Sequence, residues 1–493
     1  ATMVPNATYA GQEQLPRLPI PPLEDTCARY IKAVTPLLTE QELEHTRAAV
    51  DSFLKSDGPK LQAELTEYAK DKSSYIEDFW YDAYLTGSSS VVLNINPYFV
   101  LEDDPIPSHN DQASRAAALT MSALQFISKL RSETLAPDDW RGAPLCMNQY
   151  RRLFGCARVP HEDRDCIDSH PESRHLVVMA KGRTYSFDVF WGDGTLCVSE
   201  DRLCDNIHMI LDDARTSCAS ASVSQQLAES VGVLTSEKRP AWHALRQQLC
   251  RDESNKESLR IVDSALFVLC LDDDAPASPE AVARTMLHGT YAMRDGAQVG
   301  SITNRWYDKM QIIVCANGSA GVNFEHTSVD GHTVLRFVSD VFAATIMRFA
   351  SKISTGMSSR ERGQHNPAVK LTRGASCVLD ANPTPHHIAW RLTPQLEQAV
   401  RFAEVRLSDL VHQNETCALT FDGFGKRGIV EHQLSPDAFV QLAMMAAYYA
   451  LFGRVVCVYE PVREPDARLE PQAGGQGRAS GSSHASPPHP PSP

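Results

Sequence analysis

The residues best suited to chemistry stand together in one short stretch, Gly321-Val322-Asn323-Phe324-Glu325-His326-Thr327-Ser328-Val329-Asp330-Gly331-His332. An unperturbed imidazole titrates at about 6.5, so a neutral histidine can take a proton from an alcohol or a thiol at physiological pH. His326 is followed after four positions by Asp330, which could hold the ring's orientation or brace the loop through an arginine. Gly331 lets the backbone turn tightly beside a substrate. The chain has 17 histidines, and most histidines are surface or satisfied core residues, so the spacing alone is weak. Its setting strengthens it. Met310-Gln311-Ile312-Ile313-Val314-Cys315 is a β-branched apolar run bounded by Asn317-Gly318 and Gly321, which predicts a buried strand and a turn leading into the histidine.

A second stretch, Phe421-Asp422-Gly423-Phe424-Gly425-Lys426-Arg427-Gly428, contains a formal Gly-x-Gly-x-x-Gly. A dinucleotide fingerprint needs those glycines to open directly into a helix. Here Ile429 to Leu434 intervenes, and a helix is expected only from Ser435 as N-cap, with Pro436 and Asp437 behind it. The nicotinamide reading is therefore rejected. Two readings of Lys426 and Arg427 remain: a basic loop that meets a phosphorylated cofactor before a helix N-terminus, or two solvated cations. The polar run His161 to His170 carries ligand-type side chains without a compact metal pattern and reads as a solvated loop.

Composition narrows the class. With 43% apolar and 22% charged residues the chain is ordinary for a globular protein, and a formal charge of −14 leaves no general footprint for nucleic acid. An anionic ligand would need a local cationic cluster. Thirteen cysteines without a Cys-x-x-Cys pair argue against a zinc ribbon or a disulfide framework and for a reducing compartment. No apolar run reaches the ~18 residues of a membrane span, and the first residues carry no transit or signal pattern. The expectation is a cytoplasmic monomer, with mitochondrial association as the alternative.

These residues must be positioned by a mixed set of elements. Helices are expected from Thr39 (a capping box with Glu42) through Leu54, over 61–68, 110–135, 201–213 and 241–250, from Pro279, and over 333–353, 393–411 and 438–452. Strands are expected at Val91-Val92-Leu93, His175 to Ala180, Thr184 to Phe190 and Pro367 to Leu379, the middle two joined through Lys181-Gly182. The aromatic run Ile76 to Tyr81 reads as core. Asp272-Asp273-Asp274 reads as a cap for the next element. The Pro-rich residues 1–22 should form an extended arm, and the Pro-, Gly- and Ser-rich residues 461–493 a disordered tail.

Several blocks in a fixed order carry a family resemblance. They are Leu18-Pro19-Ile20-Pro21-Pro22-Leu23-Glu24-Asp25-Thr26, Gln149-Tyr150 with Phe154-Gly155, Asn304 to Lys309, Glu325 to Gly331, Phe424-Gly425-Lys426 and Leu434 to Gln441. Over about Leu15 to Glu460 the chain resembles the carnitine/choline O-acyltransferases, most closely the short-chain carnitine acetyltransferases. The resemblance implies an α/β (α+β) fold like that of chloramphenicol acetyltransferase, a mixed sheet flanked by helices, with a second related domain partly present. It implies reversible transfer of an acetyl or other short acyl group between CoA and carnitine, with His326 as general base and Asp330 as the acidic position behind it. CoA and acyl-CoA are substrates in that scheme, no cofactor is permanently bound and no metal takes part. Lys426 matches a CoA phosphate ligand, the loop through Arg427, Ser435 and Asp437 the CoA-binding segment, and Tyr459 a tyrosine that contacts carnitine.

The implied organisation is an arm at 1–22, a helical segment at 23–90 packing on the second domain, a first acyltransferase domain at 91–366, a partial second domain at 367–460 and the tail. Two departures stand out. Val430 occupies a position where the family has a second lysine, and the family's blocks beyond Tyr459-Glu460 are replaced by Pro461 and the tail. The alternative expectation is thus a truncated, catalytically impaired member acting as a CoA-binding or interaction fragment.

Overall fold

The computed structural model describes residues 7–140, 142–294, 297–354 and 380–458. Its central feature is a seven-stranded sheet in the order Tyr98–Leu101, Ala320–Asn323, Gln311–Cys315, Val268–Asp272, His175–Ala180, Arg183–Asp188, His386–Ile388. The Val268–Asp272 strand pairs in parallel with both Gln311–Cys315 and His175–Ala180, and every other pairing is antiparallel. The mixed sheet expected from the resemblance is present.

The central strands are buried on both faces, which explains their unbroken apolar runs. Side chains alternate along each strand. Leu176, Val178, Leu269, Leu271, Ile312 and Val314 point to one core, shared with the helices Gln112–Arg131, Glu200–Ser220 and Gly331–Ser354. Val177, Met179, Val268, Cys270, Ile313 and Cys315 point to the other, shared with Arg239–Leu249, Glu253–Ser264 and Pro394–His412. Each such aliphatic side chain contributes about 1.5–3 kcal/mol on burial. Slipping one strand by a residue would exchange both sets at once.

Two turns require glycine. Lys181 and Gly182 take φ values of 51° and 82° between the paired strands, the geometry of a two-residue hairpin. Gly318, at φ 83°, turns the chain between Gln311–Cys315 and Ala320–Asn323, and a Cβ there would meet the Asn110 carbonyl oxygen at 2.1 Å.

Some local expectations are corrected. Val91 and Val92 are buried but form no strand; Ile95 N–H closes back on Val91 O at 3.0 Å and Leu93 takes φ 62°. Asp272 caps nothing. It is fully buried against Arg305, while Ser278 caps the helix Pro279–Leu287. The 161–170 segment is not simply a solvated loop: Cys166–Ser169 pairs with Cys156–Val159, and Asp165 is buried. The expected strand at 367–379, the tail and residues 355–366 lie outside the described residues.

The described residues divide into two compact units, one of residues 7–13 with those between Tyr84 and Ala418, the other of Gln14–Ala83 with residues 419–458. The expected break at residue 366 falls outside the described residues. His386–Ile388 closes the edge of the first unit's sheet, and Pro394–His412 packs on that unit's second core. The N-terminal arm is also divided. Thr8 is buried and donates to Leu135 O at 2.7 Å in the first unit, whereas Leu18 N–H bonds Ser73 O at 3.1 Å in the second. The second unit contains the helices Leu23–Val34, Glu40–Lys55, Asp57–Tyr68, Lys426–Glu431 and Pro436–Phe452. Thr39 and Glu42 make the expected capping box. Pro436–Phe452 is apolar along its length, and its Leu442, Met444, Leu451 and Phe452 are exposed.

Candidate active site

Asn323 fixes the point where the chain leaves the sheet. Its buried amide donates to the carbonyls of Met286 (3.1 Å) and Leu287 (2.9 Å), and its oxygen accepts from Gln311 and Asn96, both at 3.3 Å. Phe324, fully buried, stacks on Phe99 with ring centroids 6.1 Å apart. The loop that follows therefore starts from a rigid strand end.

His326 is half-buried, while the residues on either side of it are buried. Its Nδ1 lies 2.8 Å from the carbonyl oxygen of Val329. A carbonyl can only accept, so Nδ1 carries the proton and the neutral ring's lone pair is on Nε2. Tyr84 and Phe324 stand edge-on to the imidazole at centroid distances of 6.2 Å. A ring held in one tautomer and flanked by aromatic edges can accept a proton at one defined atom.

Asp330 bonds the start of the next helix, while the imidazole Nδ1 is held by Val329 O. Asp330 Oδ1 accepts from the backbone N–H of His332 (2.7 Å) and Thr333 (3.2 Å), the cap position of the helix Gly331–Ser354. Gln149 reinforces it: Gln149 Oε1 accepts from Asp330 N–H and from the Thr333 hydroxyl, each at 2.8 Å. The aspartate thus anchors the far end of the histidine loop to a long helix.

Beneath the loop runs a buried chain of charge. Glu325 Oε1 accepts from Arg158 Nη1 at 3.0 Å, and Arg158 Nε donates to Asp165 Oδ2 at 2.7 Å. Asp165 also accepts from Arg239, which pairs with Asp308 at 2.7 Å, and Asp308 accepts from the Trp242 indole at 2.8 Å. Next to this chain Lys309 donates to the carbonyls of Cys156 (2.8 Å) and Asp263 (2.6 Å), and burial pushes its ammonium down to about 8.

The remaining candidates lie in the second unit. Lys426 and Arg427 are exposed and begin the short helix Lys426–Glu431, with Gly425 at its N-cap; Arg427 pairs with Glu431 at 3.0 Å. The segment expected to intervene is thus itself partly helical. No strand precedes the glycines among the described residues, so the dinucleotide reading stays rejected. Ser435 accepts from Ala438 N–H at 3.4 Å as N-cap, and Asp437 occupies the first turn. Tyr459 lies outside the described residues.

A cavity of about 570 Å³ lies elsewhere in the first unit, lined by Arg174, His175, Asp188, Arg260 and His386 among others and by none of the 324–330 loop. Its imidazoles and guanidinium groups are mixed with carboxylates, so size alone does not make it the active site. Among the described residues no three His, Cys, Asp or Glu side chains cluster as metal ligands, and no helix is long and apolar enough to cross a membrane.

Sequence reasoning did not give Tyr84, Arg158 or Gln149 a role. Gln149 was visible only as part of a family block, and Tyr84 follows an aromatic run that reads as core. Arg158 had no local signal, because its partners lie 7 to 169 positions away.

The mixed sheet leads into a loop whose histidine is held in one tautomer, and comparison with known proteins gives the class. A family model described as Choline/Carnitine o-acyltransferase matches residues 18–464. Similar proteins include the putative mitochondrial carnitine O-acetyltransferase of Saccharomyces cerevisiae, 39% identical over 91% of this chain and 70% of that protein. Human mitochondrial carnitine O-palmitoyltransferase 2 is 35% identical over 93% of this chain and 68% of its own. Mouse carnitine O-acetyltransferase is 31% identical over 92% and 68%. The chain belongs to the choline/carnitine O-acyltransferase family.

Proposed function

We propose that this protein transfers an acetyl or other short acyl group reversibly between CoA and carnitine, with His326 as general base. The observation that carries the reading is the 2.8 Å contact between His326 Nδ1 and Val329 O, which leaves Nε2 free to take a proton. In the forward direction Nε2 removes the proton of the carnitine hydroxyl as its oxygen attacks the thioester carbonyl. The tetrahedral intermediate collapses with loss of the C–S bond, and the departing thiolate recovers the proton from the imidazolium. Both directions use the same atom, and no acyl-enzyme forms.

The acyl-CoA side is assigned to Lys426, with Arg427 and the segment from Ser435 to Asp437 around it. Lys426 and Arg427 are exposed cations, as a phosphate-binding role needs, and Arg427 already has a carboxylate neighbour. The carnitine side is assigned to Tyr459. Asp330 contributes by capping the helix behind the loop. The similarity to a yeast protein named an acetyltransferase favours a short acyl chain over a long one. The names of the relatives favour the mitochondrion over the cytoplasm.

Thiol release from acetyl-CoA, measured with and without L-carnitine on the 1–493 chain and on His326→Ala, tests this reading. Carnitine-dependent release that falls by about 10²-fold or more in the variant is the expected result. Release untouched by the substitution overturns the general-base assignment. Replacing acetyl-CoA with palmitoyl-CoA checks the chain length.

A further inference from the structure

We propose that Arg158 is a positioning residue that holds His326 in place through Glu325. The proposal rests on the reading of His326 as the base, and it assigns a task to a guanidinium that touches no reacting atom.

Arg158 is 1% exposed and uses its whole fork. Nε donates to Asp165 Oδ2 at 2.7 Å, Nη1 to Glu325 Oε1 at 3.0 Å and Thr327 Oγ1 at 3.2 Å, and Nη2 to Tyr84 O at 2.8 Å. Two of these partners bracket His326 in sequence. Glu325 closes the bracket, because its Oε2 accepts from Thr327 N–H at 3.1 Å and its Oε1 from the Thr327 hydroxyl. Another partner, Tyr84, sets its ring at 71° to the imidazole from outside the loop. One planar cation therefore sets both the backbone that carries the ring and an aromatic wall beside it.

The anchoring runs on through Asp165 and Arg239 to Asp308, just before the central strand Gln311–Cys315. Burial of such a network seldom adds stability over apolar packing. Its physical justification is geometric: five fixed donors can orient three separate segments, whereas a lysine's point charge could not. Displacement of a catalytic group by about 1 Å can cost about 10²-fold in rate. The expected signature of a loosened bracket is a loss in kcat with little change in either KM.

The test uses the full chain with Glu325→Gln and Thr327→Val. The second variant keeps the side-chain shape and removes only the hydroxyl in the bracket. Two readouts are taken: kcat and KM for both substrates, and the rate at which diethyl pyrocarbonate modifies His326, followed by peptide mass spectrometry against His243 and His412 as internal references. The second readout needs no turnover. The expected result is a kcat reduced about tenfold or more, KM values within about twofold, and a His326 modification rate altered about threefold or more while the reference rates stay constant. Folded variants with unchanged kcat and unchanged His326 reactivity overturn the proposal. If Glu325→Gln fails to fold, Thr327→Val decides alone. If His326→Ala retains carnitine-dependent transfer, the base assignment fails by itself, and the modification rates still report whether the Glu325 and Thr327 contacts of Arg158 position the ring.

Discussion

Gln149 and Asp330 hold each other across 181 positions of sequence: Asp330 N–H donates to Gln149 Oε1 at 2.8 Å, and Gln149 Nε2 reaches Asp330 Oδ2 at 3.4 Å. The same carboxylate caps the helix Gly331–Ser354, so the acidic position behind the histidine is a joint between loop and helix.

Substitutions at Asp330 should therefore separate by capping ability. Asp330→Ala is expected to cost about 1 kcal/mol of stability, and Asp330→Asn much less, because asparagine caps nearly as well. Urea midpoints measure the first difference, and transfer rates should follow the same order. Equal loss of activity in both variants, with stability retained, would show that the charge and not the cap matters.

Lys309 gives a pH prediction. Its folded value of about 8 lies below the unfolded value of about 10.4. Between these values the unfolded chain binds a proton that the folded chain does not, so this group makes stability rise with pH, by up to about 1.4 kcal/mol per unit. The gain is absent below about pH 8 and complete above about 10.4. Lys309→Met should lack that rise. The difference between the two stability curves over the window isolates the lysine from tyrosines and cysteines that titrate nearby.

Arg305 and Asp272 form a fully buried bidentate pair with contacts of 2.9 and 2.7 Å. Arg305→Met leaves the carboxylate buried without its cation and should cost about 3–5 kcal/mol. Asp272→Asn in combination with Arg305→Met should recover part of that loss. Denaturant unfolding of both variants checks the order.

On the acyl-CoA side, Lys426→Ala should raise the KM for acetyl-CoA about tenfold or more and leave kcat and the carnitine KM within about twofold, as loss of one charge-assisted phosphate contact requires. The wild-type KM should also climb with salt more steeply than the variant's. Identical KM values would mean that Lys426 is a solvated surface cation.

Much of the scaffold was readable because its signals are local. The capping box at Thr39, the glycines at 182 and 318, the strand Gln311–Cys315 and the N-cap Ser435 each depend on residues a few positions apart. The errors share another cause. Val91-Val92 has strand-like composition, but strand formation needs a partner ladder, and the chain there closes on itself instead. Asp272 looks like a cap because acids often are, yet it ends a buried strand and pairs with Arg305 in the core.

The sequence by itself determined the family, the identity of the candidate base and the elements that carry it, since motif order, periodicity and turn chemistry are properties of neighbouring residues. Tertiary structure decided the rest. It gave the proton on Nδ1 to Val329 O, turned Asp330 into a helix cap and placed Arg158 beneath both Tyr84 and Glu325. Those are contacts between segments distant in sequence or matters of side-chain direction, and they exist only once the sheet has fixed where each strand ends.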